Sequence, residues 1–197
     1  LVAEAGANDF GELELLSRLL EPDVVIITNI GRAHLEKFGS QAGVLRAKAE
    51  LLVALRPGGV AVLNADDPCF AALVERAGAA RVASFGFAPG ASYRIESARA
   101  LDAVRQELVV NGVRCLLPRP GQGNARNAAA ALAACAALGG DLAQAAAALA
   151  AAALTGQRST WVRTGDVDVL DDTYNANPDS MAQALELLGA HAPRRIA

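Results

Sequence analysis

An α/β fold, with a mostly parallel sheet flanked by helices and a small antiparallel subsheet, is predicted for this chain by three observations. Short β-branched apolar runs at residues 23–27, 60–63 and 81–85 alternate with stretches of helical spacing. Such alternation marks a parallel sheet with helices on its faces. Beyond residue 85 the helices drop out. Ser92-Tyr93-Arg94-Ile95, Glu107-Leu108-Val109-Val110 and Val113-Arg114-Cys115-Leu116 follow one another, the last two joined by Asn111-Gly112, the strongest short hairpin signal. Third, polar residues gather where the apolar runs end, and in open α/β sheets ligands sit at the ends of parallel strands.

In chain order, residues 1–5 read as a strand leading to Gly6, with Glu4 near its end. Residues 10–20 read as a helix, with Phe10, Leu13, Leu16 or Ser17, and Leu20 in register and Pro22 as its stop. The run at 23–27 has the composition of a strand covered on both faces. It empties into Thr28-Asn29-Ile30-Gly31, followed by His34 and Glu36. Ser40 is placed to cap a helix reaching about residue 56, where Pro57-Gly58-Gly59 ends it. Its apolar stripe reads Val44, Lys48, Leu51, Leu52, Leu55, so a lysine sits in a buried row. Such a lysine either snorkels to the surface or is held near the strand ends with its charge neutralised or chemically modified.

The strand at 60–63 ends in Asn64-Ala65-Asp66-Asp67-Pro68, an Asx-rich turn that starts a helix to Ala77. Residues 81–85 form the next strand. After the antiparallel strands comes the loop Pro118-Arg119-Pro120-Gly121-Gln122-Gly123, which Asn124 would cap into a helix. Two alanine-rich helices, 125–138 and 142–154, flank Gly139-Gly140-Asp141. Their composition reads as close helix packing and high helix propensity. Trp161-Val162-Arg163 should pair with residues 167–170 across Gly165-Asp166. A last helix starts at Asp179 or Ser180, with Met181, Ala184, Leu185 and Leu188 on one face.

Composition narrows the function. Hydrophobic residues make up 53% and charged ones 20% of the 197 residues, enough apolar matter for a sizeable core. A net charge of −3 gives no basic face for nucleic acid. No apolar run approaches the ~20 residues of a membrane span. Cys69, Cys115 and Cys135 are odd in number and far apart, which reads as reduced thiols of a cytoplasmic protein. Glu4, Asn29, His34, Asn64, Asp66 and Asp172 all fall where strands end, with Lys48 in reach. Carboxylates, amides and an imidazole so placed suit a phosphate site with a divalent metal, or else a polar rim that only caps helices.

Five segments carry a resemblance to a known family. They are EAGANDFGE (4–12), TNIGRAHLEKFGS (28–40), AKAE (47–50), NADDP (64–68) and DDTYNANPDSM (171–181). In this order and spacing they resemble the Mur ligase family, the ATP-dependent enzymes that add amino acids to the peptidoglycan precursor. Within it they are most similar to the branch that joins D-alanyl-D-alanine to the UDP-N-acetylmuramoyl-tripeptide. The resemblance implies ATP and two Mg²⁺ as cofactors, and a reaction through an acyl phosphate. It implies that Lys48 is carbamylated by CO₂ and acts with Glu4 and His34 as catalytic and metal-site residues. It also implies that Asn29, Asn124, Asn127, Arg158, Asp172 and Asn175 serve the nucleotide, with Tyr174, Asn175 and Asn177 at a hinge.

Three features depart from the family pattern. Gly123 stands where a histidine is usual before Asn124. One extra residue separates Gly156 from Arg158. No G-x-x-x-x-G-K-[ST] occurs in the chain. The resemblance therefore implies a piece of a longer protein. Residues 1–170 would be the central, ATP-binding domain without its phosphate-loop strand, and 171–197 the start of the C-terminal domain. Such a piece is expected to be inactive alone, and the full-length enzyme to be monomeric. Two other readings remain open: a sister amide ligase acting on another acid, and a non-catalytic nucleotide-binding module.

Overall fold

The structure, a computed structural model, describes residues 1–31, 35–102, 104–152, 160–174, 176 and 178–191. A six-stranded sheet runs in the order β1 (Val24–Ile27), β2 (Val60–Asn64), β3 (Arg81–Gly86), β4 (Tyr93–Ala100), β5 (Gln106–Val110), β6 (Val113–Leu117). The first four strands are parallel and the last three antiparallel. The antiparallel strands thus continue the parallel sheet instead of standing apart. β4 makes the join, pairing with β3 only at Tyr93 and Arg94 before running antiparallel to β5. The β5–β6 turn has the predicted chemistry: Asn111 at φ 48° and Gly112 at φ 76° are the two left-handed residues of a tight hairpin.

Helices cover the sheet on both sides. Along β2 the side chains alternate, so that Val60 and Val62 face one core while Ala61 and Leu63 face the other. On the first side lie α5 (Gln122–Ala137) and α6 (Leu142–Ala150). Ala125, Ala129 and Ala133, one turn apart, have no exposed surface, and their small side chains let α5 approach the strands closely. On the other side lie α3 (Gln41–Ala49) and α4 (Phe70–Ala77), which bury Val44, Ala47 and Leu73. The remaining elements are α1 (Glu12–Leu20), the single turn α2 (Leu35–Phe38), the hairpin β7 (Thr160–Thr164) with β8 (Val167–Asp171), and α7 (Pro178–His191). Among the described residues no helix is long and apolar enough to cross a membrane.

Several expectations are corrected. Residues 1–5 form no strand, and Leu1 and Val2 are fully exposed. A strand needs a neighbour for its backbone N–H and C=O groups, and among the described residues nothing pairs with this segment. β1 is not covered on both faces: it is the edge of the sheet, and Ile26 is 39% exposed. The helix capped by Ser40, whose hydroxyl accepts from the Gly43 N–H at 3.1 Å, ends at Ala49 and tightens to a 3₁₀ turn over Glu50–Leu52. Buried Ser17 of α1 supports this unwinding. Its hydroxyl donates to the Leu51 carbonyl at 2.7 Å and accepts from the Ala54 N–H at 3.2 Å, satisfying groups that a longer helix would have paired internally.

Asn124 does not cap α5. Gly121 takes the cap position at φ 119°, and Asn124 lies in the first turn with its Nδ2 donating to the Pro120 carbonyl at 2.9 Å. On α7, Met181 and Leu185 are exposed. The side chains that approach the sheet are Gln183, Glu186 and Leu187, around a cavity of about 190 Å³ shared with Ala98, Gln106 and Pro120.

Candidate active site

The exits of the three parallel strands β1, β2 and β3 meet at one rim, and hydrogen bonds tie them together. At the end of β2, Asn64 is buried; its Nδ2 donates to the Thr28 carbonyl at 2.9 Å and its Oδ1 accepts from the Asp66 N–H at 2.9 Å. Asp67, also buried, accepts from the Ile30 N–H at 2.6 Å with one oxygen and from the Cys69 N–H at 2.7 Å with the other. The β1 exit is therefore held by the β2 exit, in the way an Asx-rich turn braces neighbouring backbone.

Lys48 reaches this rim. It is half-buried on α3, and its Nζ donates to the Asn29 carbonyl at 2.7 Å. Burial disfavours the ammonium form and lowers its pKa; the Asp67 carboxylate pulls the other way without cancelling the shift. The amine is thus easier to deprotonate than an ordinary lysine, and a neutral amine is the form that adds to CO₂. The side chain is thus held at the strand ends, the placement that the second of the two readings of this lysine requires.

Asp66 anchors the other side of the rim. Its carboxylate accepts from the Phe87 and Ala88 N–H groups at 3.1 and 2.8 Å and from Arg126 Nε at 2.7 Å. Burial alone would raise its pKa, but the Phe87 N–H, Arg126 and the Ala88 N–H together hold it below the usual carboxylate range. A carboxylate of this kind contributes stability that is present above its unfolded pKa of about 3.9 and is lost as pH falls through the lower folded value. The urea midpoint of the wild type is accordingly expected to exceed that of Asp66→Asn at pH 7, and the gap to close in titrations taken below about pH 4.

The other residues singled out in the sequence are placed unevenly. Asn124 is half-buried in the first turn of α5, with exposed Asn127 three residues on and hence on the same side of the helix. Asp172 is half-buried just past β8. Glu4 is exposed in the non-strand segment before α1 and is not brought to Lys48 by any hydrogen bond described. His34, Arg158, Asn175 and Asn177 lie outside the described residues. Among the described residues no three His, Cys, Asp or Glu side chains cluster closely enough to hold a metal ion. Sequence reasoning overlooked Asp67, whose signal was the tandem Asp before Pro68, and Arg126, whose signal was a lone charge inside an alanine-rich helix.

These features define an α/β domain with a ligand-type rim at the carboxyl ends of its parallel strands. The chain belongs to the Mur ligase family: the family model for the Mur ligase middle domain matches residues 1–135. It is 32% identical over 189 residues to the UDP-N-acetylmuramoyl-tripeptide–D-alanyl-D-alanine ligase of Bacillus subtilis, covering 94% of this chain and 40% of the relative. To the ligase of the same name from Mycobacterium tuberculosis it is 36% identical over 203 residues, covering 98% of this chain and 39% of the relative. A crystal structure of MurF from Acinetobacter baumannii superposes with a TM-score of 0.91 at 33% identity, over 96% of this chain and 42% of that one. The chain thus spans about two-fifths of the length of the curated relatives it matches.

Proposed function

We propose that the chain is the central, ATP-binding part of a ligase that joins D-alanyl-D-alanine to UDP-N-acetylmuramoyl-tripeptide. On this reading residues 1–170 are the middle domain and 171–197 begin the C-terminal one. The observation that carries the catalytic reading is the placement of Lys48: a half-buried amine with a lowered pKa, aimed at the β1 exit. Its relatives' names and the superposition support the choice of substrates.

Mg²⁺ takes oxygen ligands, and an ammonium that donates to Asn29 offers none. By donor chemistry alone the set would suit the metal only with Lys48 carbamylated: the neutral amine nitrogen bonds to the carbon of CO₂ and releases a proton, leaving a carboxylate-like group. Glu4, His34 and the Lys48 carbamate would then hold the metal. When bound, Mg²⁺ neutralises crowded phosphate oxygens. Asn124 and Asn127 would face the adenine from α5. Asn29, Arg158, Asp172 and Asn175 would line the ribose and phosphates. This chain's share of the chemistry is positioning and electrostatics, and the tripeptide carboxylate and the D-alanyl-D-alanine amine are the reacting groups.

The test uses the protein expressed from its complete reading frame. Phosphate release should require ATP, the UDP-linked tripeptide and D-alanyl-D-alanine together. Release that ignores D-alanyl-D-alanine, or that follows a different amino acid, would overturn the substrate assignment.

A further inference from the structure

We propose that the Asp66–Arg126 pair is a positioning bridge that fixes the α5 end of the site relative to the β1 exit, setting the distance between the base-binding and phosphate-binding halves of a bound nucleotide. The inference rests on the nucleotide reading given above.

Arg126 lies on α5 between Asn124 and Asn127. Its Nε donates to Asp66 at 2.7 Å, and its guanidinium lies over the Phe87 ring, 5.0 Å from the centroid. The pair is largely enclosed, with 28% of the arginine and 14% of the aspartate side chain exposed, so solvent screens it less than an ordinary surface pair. Asp66 is itself immobilised. Two backbone N–H groups after β3 donate to its carboxylate, and its own N–H donates to Asn64. Asn64 in turn donates to Thr28, next to the Asn29 carbonyl that holds Lys48. A continuous series of short contacts thus runs from the α5 turn bearing Asn124 and Asn127 to the Lys48 amine, through the exits of β1, β2 and β3.

Gly86 shows how closely this corner is fitted. A Cβ there would stand 2.7–2.9 Å from the Asp66 carboxylate, at a φ of +138° that side chains rarely adopt. The carboxylate cannot retreat, because three donors hold it. A merely stabilising surface pair needs no such cleared space. This one sits in a junction of four elements and has no slack.

A bridge between two subsites has a signature that a purely structural pair lacks. ATP gains over its halves because one subsite holds the ligand in place for the other, and that gain depends on their spacing. Adenosine and Mg²⁺-tripolyphosphate each occupy one subsite and do not sense the spacing. In the protein expressed from its complete reading frame, calorimetric titration of Arg126→Gln should show ATP binding weakened about tenfold or more, with adenosine and Mg²⁺-tripolyphosphate each within about twofold of wild type.

The Phe87 and Ala88 N–H groups donate to different oxygens of Asp66, so Asp66→Asn keeps an acceptor for only one of them; it should give the same ligand pattern with a larger fall in stability than Arg126→Gln. The double variant should be no weaker than the worse single one, and Arg126→Lys, which restores the charge, should recover part of the loss. Unchanged ATP affinity in both single variants overturns the bridge, as does a parallel loss for all three ligands that tracks the fall in melting temperature. A wild-type protein that binds none of the three overturns the nucleotide reading itself, and the bridge with it.

Discussion

Lys48→Met, in the protein expressed from its complete reading frame, is expected to lower ATP-dependent ligation by about 10²- to 10³-fold, the usual cost of removing one preorganised electrostatic group from an active site. The substitution preserves the volume and apolar stem of the side chain, so α3 should still pack through Val44 and Ala47, which are buried independently of Lys48. The melting temperature should therefore change little while activity falls. Lys48→Arg keeps the charge but cannot form the carbamate, and should be equally impaired. Mass spectrometry under native conditions, or ¹³C NMR in ¹³CO₂-enriched buffer, should show a CO₂ adduct in the wild type that both variants lack. If Lys48→Arg retains wild-type activity, the lysine acts as a plain cation and the carbamate reading fails.

Asp67→Ala is expected to be the most destabilising change at the rim. Both carboxylate oxygens serve backbone donors, the Ile30 and Cys69 N–H groups, in a buried setting. Alanine leaves both donors without their partner, at about 1–3 kcal/mol each, so that a loss of about 2–6 kcal/mol is expected. Asp67→Asn keeps one oxygen as acceptor but presents an amide to the other donor, and should fall between alanine and wild type. Urea unfolding at neutral pH measures the series. A loss under about 1 kcal/mol for alanine would mean that water replaces the carboxylate and that the β1 exit does not depend on it.

The effect should reach the site as well. Asp67 holds Ile30 in place beside Asn29, and its charge is the one that opposes the lowering of the Lys48 pKa. Its loss should therefore loosen the Lys48 contact and lower that pKa further.

Much of this architecture was legible in the sequence because its cues are local. The β-branched runs at 24–27, 60–63 and 81–85, the Asn111-Gly112 turn and the Ser40 cap each act through residues a few positions apart, and each appears where it was expected. Lys48 was legible for the same reason, since a cation in an apolar stripe contradicts its own helix. The misreadings concern what lies beside an element. Residues 1–5 have strand composition but no strand next to them, and β1 has the composition of a buried strand but is a sheet edge. On α7 the apolar stripe is only half enclosed: Ala184 and Leu188 are half-buried while Met181 and Leu185 are exposed, because a stripe of helical spacing does not say which surface lies opposite.

The amino-acid sequence by itself determined the order of strands and helices, the parallel-to-antiparallel change and the presence of a polar rim at the strand ends, since periodicity and turn chemistry are properties of neighbouring residues. Only the tertiary structure decided which polar groups share that rim. Asp66 meets Arg126 across 60 positions, Asp67 meets Ile30 across 37, and Lys48 meets Asn29 across 19. Contacts of that span depend on how sheet and helices stack, and no local rule of residue spacing encodes the stacking.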